Sequence, residues 1–186
     1  MKNTIWFLLM MSVFFISCKS TKDVLTPKQM ALFEKTISNK EIDIEFTWAQ
    51  SSGLLNNVRG IENLLPNGST INNINLIGND NYLRIIKDSI AMELPYYGEQ
   101  QLSNNSTFGS GETGVIFKGF PKKSNTTFDK KKNSYRFNYS LNAENESLNI
   151  ILYLYSNNKA TLSVNSSHRS PINYGGNWEV LKKATE

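Results

Sequence analysis

Apolar and polar side chains alternate with a period of two along most of the chain after residue 40. In the first such segment, four apolar side chains take alternate positions: Ile42, Ile44, Phe46 and Trp48. Successive side chains of a strand point to opposite faces of a sheet, so this pattern predicts a strand with one buried face. Six further segments share it: Tyr82 to Ile86, Ile90 to Leu94, Val115 to Phe117, Tyr135 to Leu141, Leu148 to Tyr155 and Ala160 to Val164.

Short turn signals separate many of these segments. They are Gly78-Asn79-Asp80-Asn81, Lys87-Asp88, Lys132-Asn133 and Asn157-Asn158. Strands at this spacing, with one helix at the start, predict a mainly β fold. We expect an antiparallel meander of eight to ten strands that forms an up-and-down barrel or a strongly curled sheet.

One helix is predicted before the strands, over residues of about 26–38. Thr26 is its expected N-cap, Pro27 suits the first helical position, and Gln29 completes a capping box with Thr26. Its apolar stripe consists of Met30, Phe33 and Ile37. A stripe this narrow predicts a helix that packs on the sheet along one side.

The hairpin around Asn157-Asn158 predicts which face of the sheet is interior. A type I′ turn at these two residues would place Ser156 opposite Lys159. The interior face would then carry Ile151, Tyr153 and Tyr155 with Ala160, Leu162 and Val164. The outer face would expose Ile150, Leu152 and Leu154, so we expect the helix to cover them, outside the sheet or across one open end.

The N-terminus has the pattern of a bacterial lipoprotein signal. Lys2 precedes an apolar run from Ile5 to Ile16, and Phe15-Ile16-Ser17-Cys18 resembles a relaxed lipobox. The run is about half of the ~20 residues that cross a bilayer. We therefore expect a signal peptide over 1–17 and a mature protein that begins at a diacylglyceryl Cys18.

Several acyl chains on one cysteine anchor a protein to a membrane without spanning it. The expected organisation is a lipidated tether over 18–25, one domain over 26–182 and a short tail over 183–186. Bacteroidetes lipoproteins, which this signal resembles, carry an acidic cluster after the cysteine when they are exported to the cell surface. Lys19-Ser20-Thr21-Lys22-Asp23 lacks that cluster. The expected location is therefore the outer membrane, facing the periplasm.

Composition narrows the classes of partner. The formal net charge of the 186 residues is +4, and Cys18 is the only cysteine, so we expect no disulfide in the mature domain. Lysines cluster at Lys122-Lys123 and Lys130-Lys131-Lys132. Because basic and aromatic residues are not interleaved, nucleic acid is not an expected partner. The lysines either contact anionic lipid or lipopolysaccharide phosphates or form a solvated hairpin end.

Two motifs resemble a known family. They are Leu94-Pro95-Tyr96-Tyr97-Gly98 and Ser166-Ser167-His168-Arg169-Ser170-Pro171-Ile172-Asn173-Tyr174-Gly175-Gly176. They resemble the signature of an uncharacterised family of Bacteroidetes lipoproteins, domain of unknown function 4251. The order of lipobox, capped helix, strands and motifs matches as well. The resemblance implies a lipocalin-type barrel, and it implies no catalytic or binding residue.

The motif residues have ordinary structural interpretations beside their functional ones. Tyr96 and Tyr97 are expected in the core or at a barrel rim, where they could also contact a ligand. Arg169 either pairs with a carboxylate or grips an anionic head group. His168 is the only histidine, and neighbours on a strand face opposite ways, so a triad with Ser166 or Ser167 is not expected. We expect no catalytic residue, metal site or cofactor.

Asp88-Ser89-Ile90 resembles the short O-glycosylation acceptor motif of Bacteroidetes, which makes Ser89 a candidate for modification. The alternative is a hairpin turn that Asp and Ser favour.

Three functions remain open at this point. The first is a noncatalytic lipoprotein whose barrel holds a small apolar or amphipathic, lipid-like ligand against Trp48, Tyr153, Tyr155 and Leu162. The second is an envelope interaction protein with a filled core that meets a protein partner. The third is an unrecognised hydrolase. A cavity lined by those four side chains would favour the first, and a filled core with an exposed apolar patch the second.

Overall fold

The computed structural model describes residues 26–52, 65–99 and 114–182. Within these residues, one helix, α1 (Pro27–Asn39), precedes ten strands. The strands are β1 (Glu41–Ser51), β2 (Ile74–Asn75), β3 (Tyr82–Ile86), β4 (Ser89–Leu94), β5 (Val115–Gly119), β6 (Lys123–Asp129), β7 (Ser134–Asn142), β8 (Ser147–Tyr155), β9 (Lys159–Ser166) and β10 (Ile172–Val180). No helix among the described residues is long and apolar enough to cross a membrane.

The strands form one antiparallel sheet in the order β5-β4-β3-β1-β10-β9-β8-β7-β6, and β2 pairs with β1 beside this path. Most neighbours are consecutive in the chain, as a meander requires; β1 joins the two halves by pairing with both β3 and β10. The predicted curled sheet with an N-terminal helix is confirmed. Within the described chain, β5 and β6 lie at the two ends of the order and do not pair with each other, so the sheet is a curled half-barrel.

Helix α1 begins and packs as its sequence predicts. Thr26 Oγ1 accepts the Gln29 N–H at 3.4 Å, and Gln29 Oε1 accepts the Thr26 N–H at 2.9 Å, which completes the capping box. Buried Phe33 places its ring centroid 5.2 Å from that of Tyr135 and 5.7 Å from that of Trp178. The helix therefore joins β7 to β10 across one end of the half-barrel.

The β8–β9 hairpin corrects the predicted interior face. Its loop has three residues, Ser156 to Asn158, and Asn158 takes a left-handed φ of 62°. The register pairs Leu152 with Leu162, one residue away from the type I′ prediction. A slip of one residue moves every side chain of a strand to the other face.

The predicted faces of β8 were consequently wrong. Ile150, Leu152 and Leu154 lie inside, each no more than 1% exposed. The outer, half-buried positions are Ile151, Tyr153 and Tyr155. The helix does not cover an outer apolar row, because the residue it contacts, Tyr135, is the cross-strand partner of Leu154 on the inner face.

A β-bulge corrects the placement of Trp48. Phe46 pairs with Gly176 and Trp48 with Gly175, so Thr47 is an extra residue and the alternation of faces shifts. Ala49 replaces Trp48 at the interior position and is fully buried. Trp48 lies on the outer face over Gly175, where an added Cβ would come within 2.2 Å of the indole.

The inner face of the half-barrel is filled by side chains. The largest that are less than 2% exposed include Tyr174, Phe46, Phe137, Leu83, Ile90 and Met92. Phe46 and Tyr174 place their ring centroids 5.6 Å apart. Together with Phe33 and Ile37 of α1 they form one continuous hydrophobic cluster. The fold therefore buries its aromatic residues against one another.

Candidate functional site

The two motifs meet at one end of the sheet, although 74 residues separate Tyr96 from Ser170. Tyr96 Oη lies 2.9 Å from Ser170 Oγ and donates toward the carbonyl oxygens of Glu99 at 2.8 Å and Ser170 at 3.0 Å. The Glu99 N–H donates to Ser170 Oγ at 3.1 Å. The motifs therefore tie the chain after β4 to the chain before β10.

An ion pair lies beside this junction. Arg169 Nη2 is 3.2 Å from Glu146 Oε1, and the two side chains are 14% and 9% exposed. The Arg169 guanidinium also lies over the ring of Tyr96, 5.1 Å from its centroid, and Ser166 Oγ donates to Glu146 Oε2. Arg169 was predicted to pair with a carboxylate or to grip an anionic head group, and in the structure it pairs with the carboxylate of Glu146. An ion pair with so little exposure positions the two loops and is sensitive to loss of either partner.

The tyrosines of this region are neutral groups with structural hydrogen bonds. Tyr174 donates to the Pro95 carbonyl at 2.8 Å, and burial raises the pKa of Tyr174 far above its ordinary value. Burial also raises the pKa of Tyr96, although its bond to Ser170 and the charge of Arg169 oppose the shift. Neither hydroxyl supplies an ionised group at neutral pH, which favours a structural role for this network.

The serine and histidine residues beside it do not form a triad. Ser167 Oγ is 2.7 Å from His168 Nδ1 and accepts the Ser147 N–H at 3.1 Å. Glu146 is held by Ser166 and Arg169 instead of His168. Within the described residues, no group of three or more His, Cys, Asp or Glu is arranged to hold a metal ion.

The residues predicted to line a ligand cavity are scattered. Trp48, Tyr153 and Tyr155 lie on the outer face, Leu162 is packed inside, and Tyr97 is half-buried against the core. Tyr153 and Tyr155 stack on that outer face with their ring centroids 6.3 Å apart. The structure does not bring the four proposed lining residues together around a common space.

Two surface depressions lie beside β6, away from the predicted lining residues. One groove, of about 600 Å³, runs over β6, β7 and β8 and is lined by Lys123, Ser124, Asn125, Asn138, Tyr139, Ser140, Asn149, Ile150 and Ile151. A crevice of about 170 Å³ separates β6 from the β3–β4 turn and the β5–β6 connection. Ser124 and Tyr139 line both. We call β6, the groove and the crevice the β6 seam.

Sequence reasoning missed the β6 seam because β6 has no apolar alternation. Positions 123 to 127 are exposed, and only Phe128 among the seven residues is a large apolar side chain. The available signals were the β-branched pair Thr126-Thr127 and the following turn, in which Asn133 takes a left-handed φ of 48°.

The segment that contains β6 is strongly basic. Between residues 114 and 140 the sequence has Lys118, Lys122, Lys123, Lys130, Lys131, Lys132 and Arg136 against the single acid Asp129. Asp129 Oδ1 accepts the N–H groups of Lys131 at 2.8 Å and Lys132 at 3.2 Å. The carboxylate thus stabilises its own turn, and the segment keeps an excess of positive charge.

An ion pair is part of the crevice lining. Lys40 Nζ is 2.9 Å from Asp88 Oδ1, and this hydrogen bond and the lysine charge lower the pKa of Asp88. Burial, with a smaller contribution from Asp88, raises the pKa of Tyr139 far above its ordinary value. Next to Asp88, the half-buried Ser89 donates from Oγ to the Ile86 carbonyl at 2.8 Å. Cys18 lies outside the described residues.

Comparison with known proteins identifies the family. No curated protein matches the chain significantly. Among solved structures, a similar one is the crystal structure of a DUF4251 family protein from Bacteroides eggerthii DSM 20697, 15% identical, with a TM-score of 0.49. The match covers 81% of this chain and 87% of that one. The family DUF4251, described as a domain of unknown function, matches residues 27–178. The chain therefore belongs to the DUF4251 family.

Proposed function

We propose that this protein is a membrane-anchored, noncatalytic interaction domain of the cell envelope, which presents its outer surface to another envelope component. The observation that carries the proposal is the filled inner face. The inner aromatic side chains Phe46, Phe137 and Tyr174 are each no more than 1% exposed. Dense packing of this kind leaves no room for a lipid-like ligand without repacking.

The alternative of a small ligand inside the sheet has less support. It required Trp48, Tyr153 and Tyr155 to face the interior together with Leu162, and those three aromatic residues lie outside. The hydrolase alternative also has little support, because Glu146 does not position His168. The groove of the β6 seam presents exposed side chains of β6, among them Lys123 and Asn125, where another macromolecule can reach them.

Anchoring through an acylated Cys18 is part of the proposal, with the domain facing the periplasm at the outer membrane. A Cys18→Ser variant should move from the membrane fraction to the soluble periplasmic fraction while the domain still folds. Ser89 remains a proposed glycosylation site; a mass increase that disappears in Ser89→Ala would establish the modification.

Native mass spectrometry of the domain from Ser20 onward, isolated from a bacterial periplasm, tests the filled core. We expect the mass of the polypeptide alone, or of the polypeptide with a covalent glycan, and the same mass after envelope lipid extract is added. A reproducible extra mass that organic solvent removes would contradict the proposal and would support carriage of that molecule.

A further inference from the structure

The inference drawn from the β6 seam rests on the proposed interaction function and specifies the partner. Among the described strands, β6 pairs only with β7, so one long side of β6 has no neighbouring strand. An edge strand of this kind is a template on which another extended chain can add. The strand has seven residues, a length of about 20 Å at ~3.3 Å per residue.

The hydrogen-bond register shows which backbone groups of β6 point outward. The Ser156 N–H donates to the Asn133 carbonyl at 3.3 Å, so odd-numbered residues of β7 bond toward β8 and even-numbered ones toward β6. Since Thr127 pairs with Arg136, the odd residues of β6 bond to β7. The N–H and C=O groups of Ser124, Thr126 and Phe128 therefore point to the open side.

Charge is placed at the ends of this edge and is absent from its middle. Lys122 and Lys123 lie at the start, Lys130 and Lys131 lie just past the end, and all four are exposed. Residues 124 to 128 carry no charge, and the carboxylate of Asp129, the last residue of β6, accepts the N–H groups of Lys131 and Lys132. Lys123 lies within the edge strand, where a lysine opposes pairing with a neutral or basic chain. Lysines at both ends complement an extended partner with acidic termini.

The crevice supplies a side-chain site beside the same edge. Ser124 and Thr126 of β6 line it together with Ile85, Ile90 and Phe120, which is 74% exposed. The crevice volume of about 170 Å³ suits one side chain, and Lys40, Lys87 and Asp88 line it beside the apolar residues. A strand added to β6 directs alternate side chains to this face.

We propose that β6 binds an extended acidic peptide segment of a partner protein by antiparallel strand addition. The outward backbone groups of Ser124, Thr126 and Phe128 bond to the segment, and the lysines at both ends pair with its terminal acidic residues. The crevice takes one central side chain of the segment. The segment has about seven residues, which matches the length of β6.

A synthetic heptapeptide tests this proposal on the mature chain with Cys18→Ser. It has two aspartates at each end with Thr-Val-Thr between them, and the matched control has lysines in place of the aspartates. Binding is measured by isothermal calorimetry at low and high salt. We expect the acidic peptide to bind, the basic peptide not to bind, and affinity to fall as salt rises.

Two backbone changes separate strand addition from simple charge attraction. Thr126→Pro removes an outward N–H without removing a bond to β7, whereas Thr126→Ala keeps the N–H. We expect Thr126→Pro to weaken binding at least about tenfold and Thr126→Ala by less than about twofold. If Thr126→Pro does not fold, a peptide N-methylated at its central valine tests the same hydrogen bonds on the unaltered protein.

Three outcomes would overturn the proposal. They are no binding of the acidic peptide at millimolar concentration, equal binding by Thr126→Pro and wild type, and equal binding of the N-methylated peptide. Anionic phosphatidylglycerol vesicles that displace the peptide and bind Thr126→Pro equally well would assign the lysines to a membrane surface. In each of these cases, native mass spectrometry that gives the mass of the polypeptide alone would still support the filled core. Failure of strand addition is therefore distinguishable from failure of the proposed function.

Discussion

Replacing Gly175 by alanine tests the β-bulge and the outer position of Trp48. A Cβ at Gly175 would lie 2.2 Å from both Cε2 and Cζ2 of Trp48. Such a distance requires a shift, and overpacking of this kind costs typically 1–3 kcal/mol. The indole lies on the outer face and is able to move toward solvent. We therefore expect Gly175→Ala to lower the free energy of unfolding by about 1–2 kcal/mol.

The Trp48→Ala background should remove that cost. Without the indole the new methyl group meets no ring, and alanine reduces the entropy of the unfolded chain relative to glycine. Gly175→Ala should then change stability by less than about 0.5 kcal/mol. The double-mutant cycle should give a coupling free energy of roughly 1–2 kcal/mol between the two positions. Urea unfolding followed by circular dichroism measures all four proteins.

Gly176 provides the matched control. A Cβ there would lie 2.0 Å from the Glu45 carbonyl oxygen and 2.6 Å from the Cα of Phe46. These are backbone atoms, so Gly176→Ala should cost more than about 3 kcal/mol in either background. Additive effects of Gly175→Ala and Trp48→Ala, within about 0.5 kcal/mol, would refute the placement of Trp48 over Gly175.

Three further predictions follow from burial and hydrogen bonding. Leu152→Ala should cost about 3 kcal/mol and Ile151→Ala about 1 kcal/mol in urea unfolding, because only Leu152 faces the core; equal costs would favour the other register. Burial raises the folded pKa of Tyr139 and Tyr174, so their neutral hydroxyls stabilise the folded state fully below pH ~10. Above that pH the free energy of unfolding should fall by up to ~1.4 kcal/mol per pH unit for each tyrosine. Tyr174→Phe should reduce the decrease of the free energy of unfolding above pH ~10. An unchanged slope would contradict the raised pKa of Tyr174. Tyr96→Phe should cost about 1–3 kcal/mol by removing the hydroxyl that donates to the Glu99 and Ser170 carbonyl oxygens, and unaltered thermal stability would argue against that network.

The sequence predicts those elements whose signals are local. The capping box at Thr26 and Gln29 needs only a spacing of three residues, and it is present in the structure. Period-two alternation locates β3, β4 and β8 because one face of each strand is buried. These signals suffice for the fold class.

The sequence signals did not predict features in which a shift of one residue changes the strand register. Asn157-Asn158 is compatible with a two-residue turn, but the loop uses three residues with Asn158 left-handed. Trp48 continues the alternation of β1, yet a bulge turns it outward. The buried Asn81 amide donates to the Phe46 carbonyl at 3.0 Å and accepts the Phe46 N–H at 2.9 Å. Such a long-range bond leaves no pattern in the sequence.

The β6 seam was not predicted from the sequence for a related reason. An edge strand exposed on both faces, such as β6, lacks the apolar alternation that marks other strands. The lysines on either side were visible as clusters, but their position at the two ends of one open edge depends on the order of strands in the sheet. Likewise, the contact between Tyr96 and Ser170 joins segments that only the fold brings together.

Methyl NMR of the domain, titrated with lipid extracted from the same envelope, tests the central claim of a filled interior most directly. The methyl groups of Leu152 and Leu162 lie inside the half-barrel and serve as reporters. The filled interior predicts that their chemical shifts stay unchanged at saturating lipid. Saturable shifts at both residues would show that a ligand enters the sheet and would contradict the account.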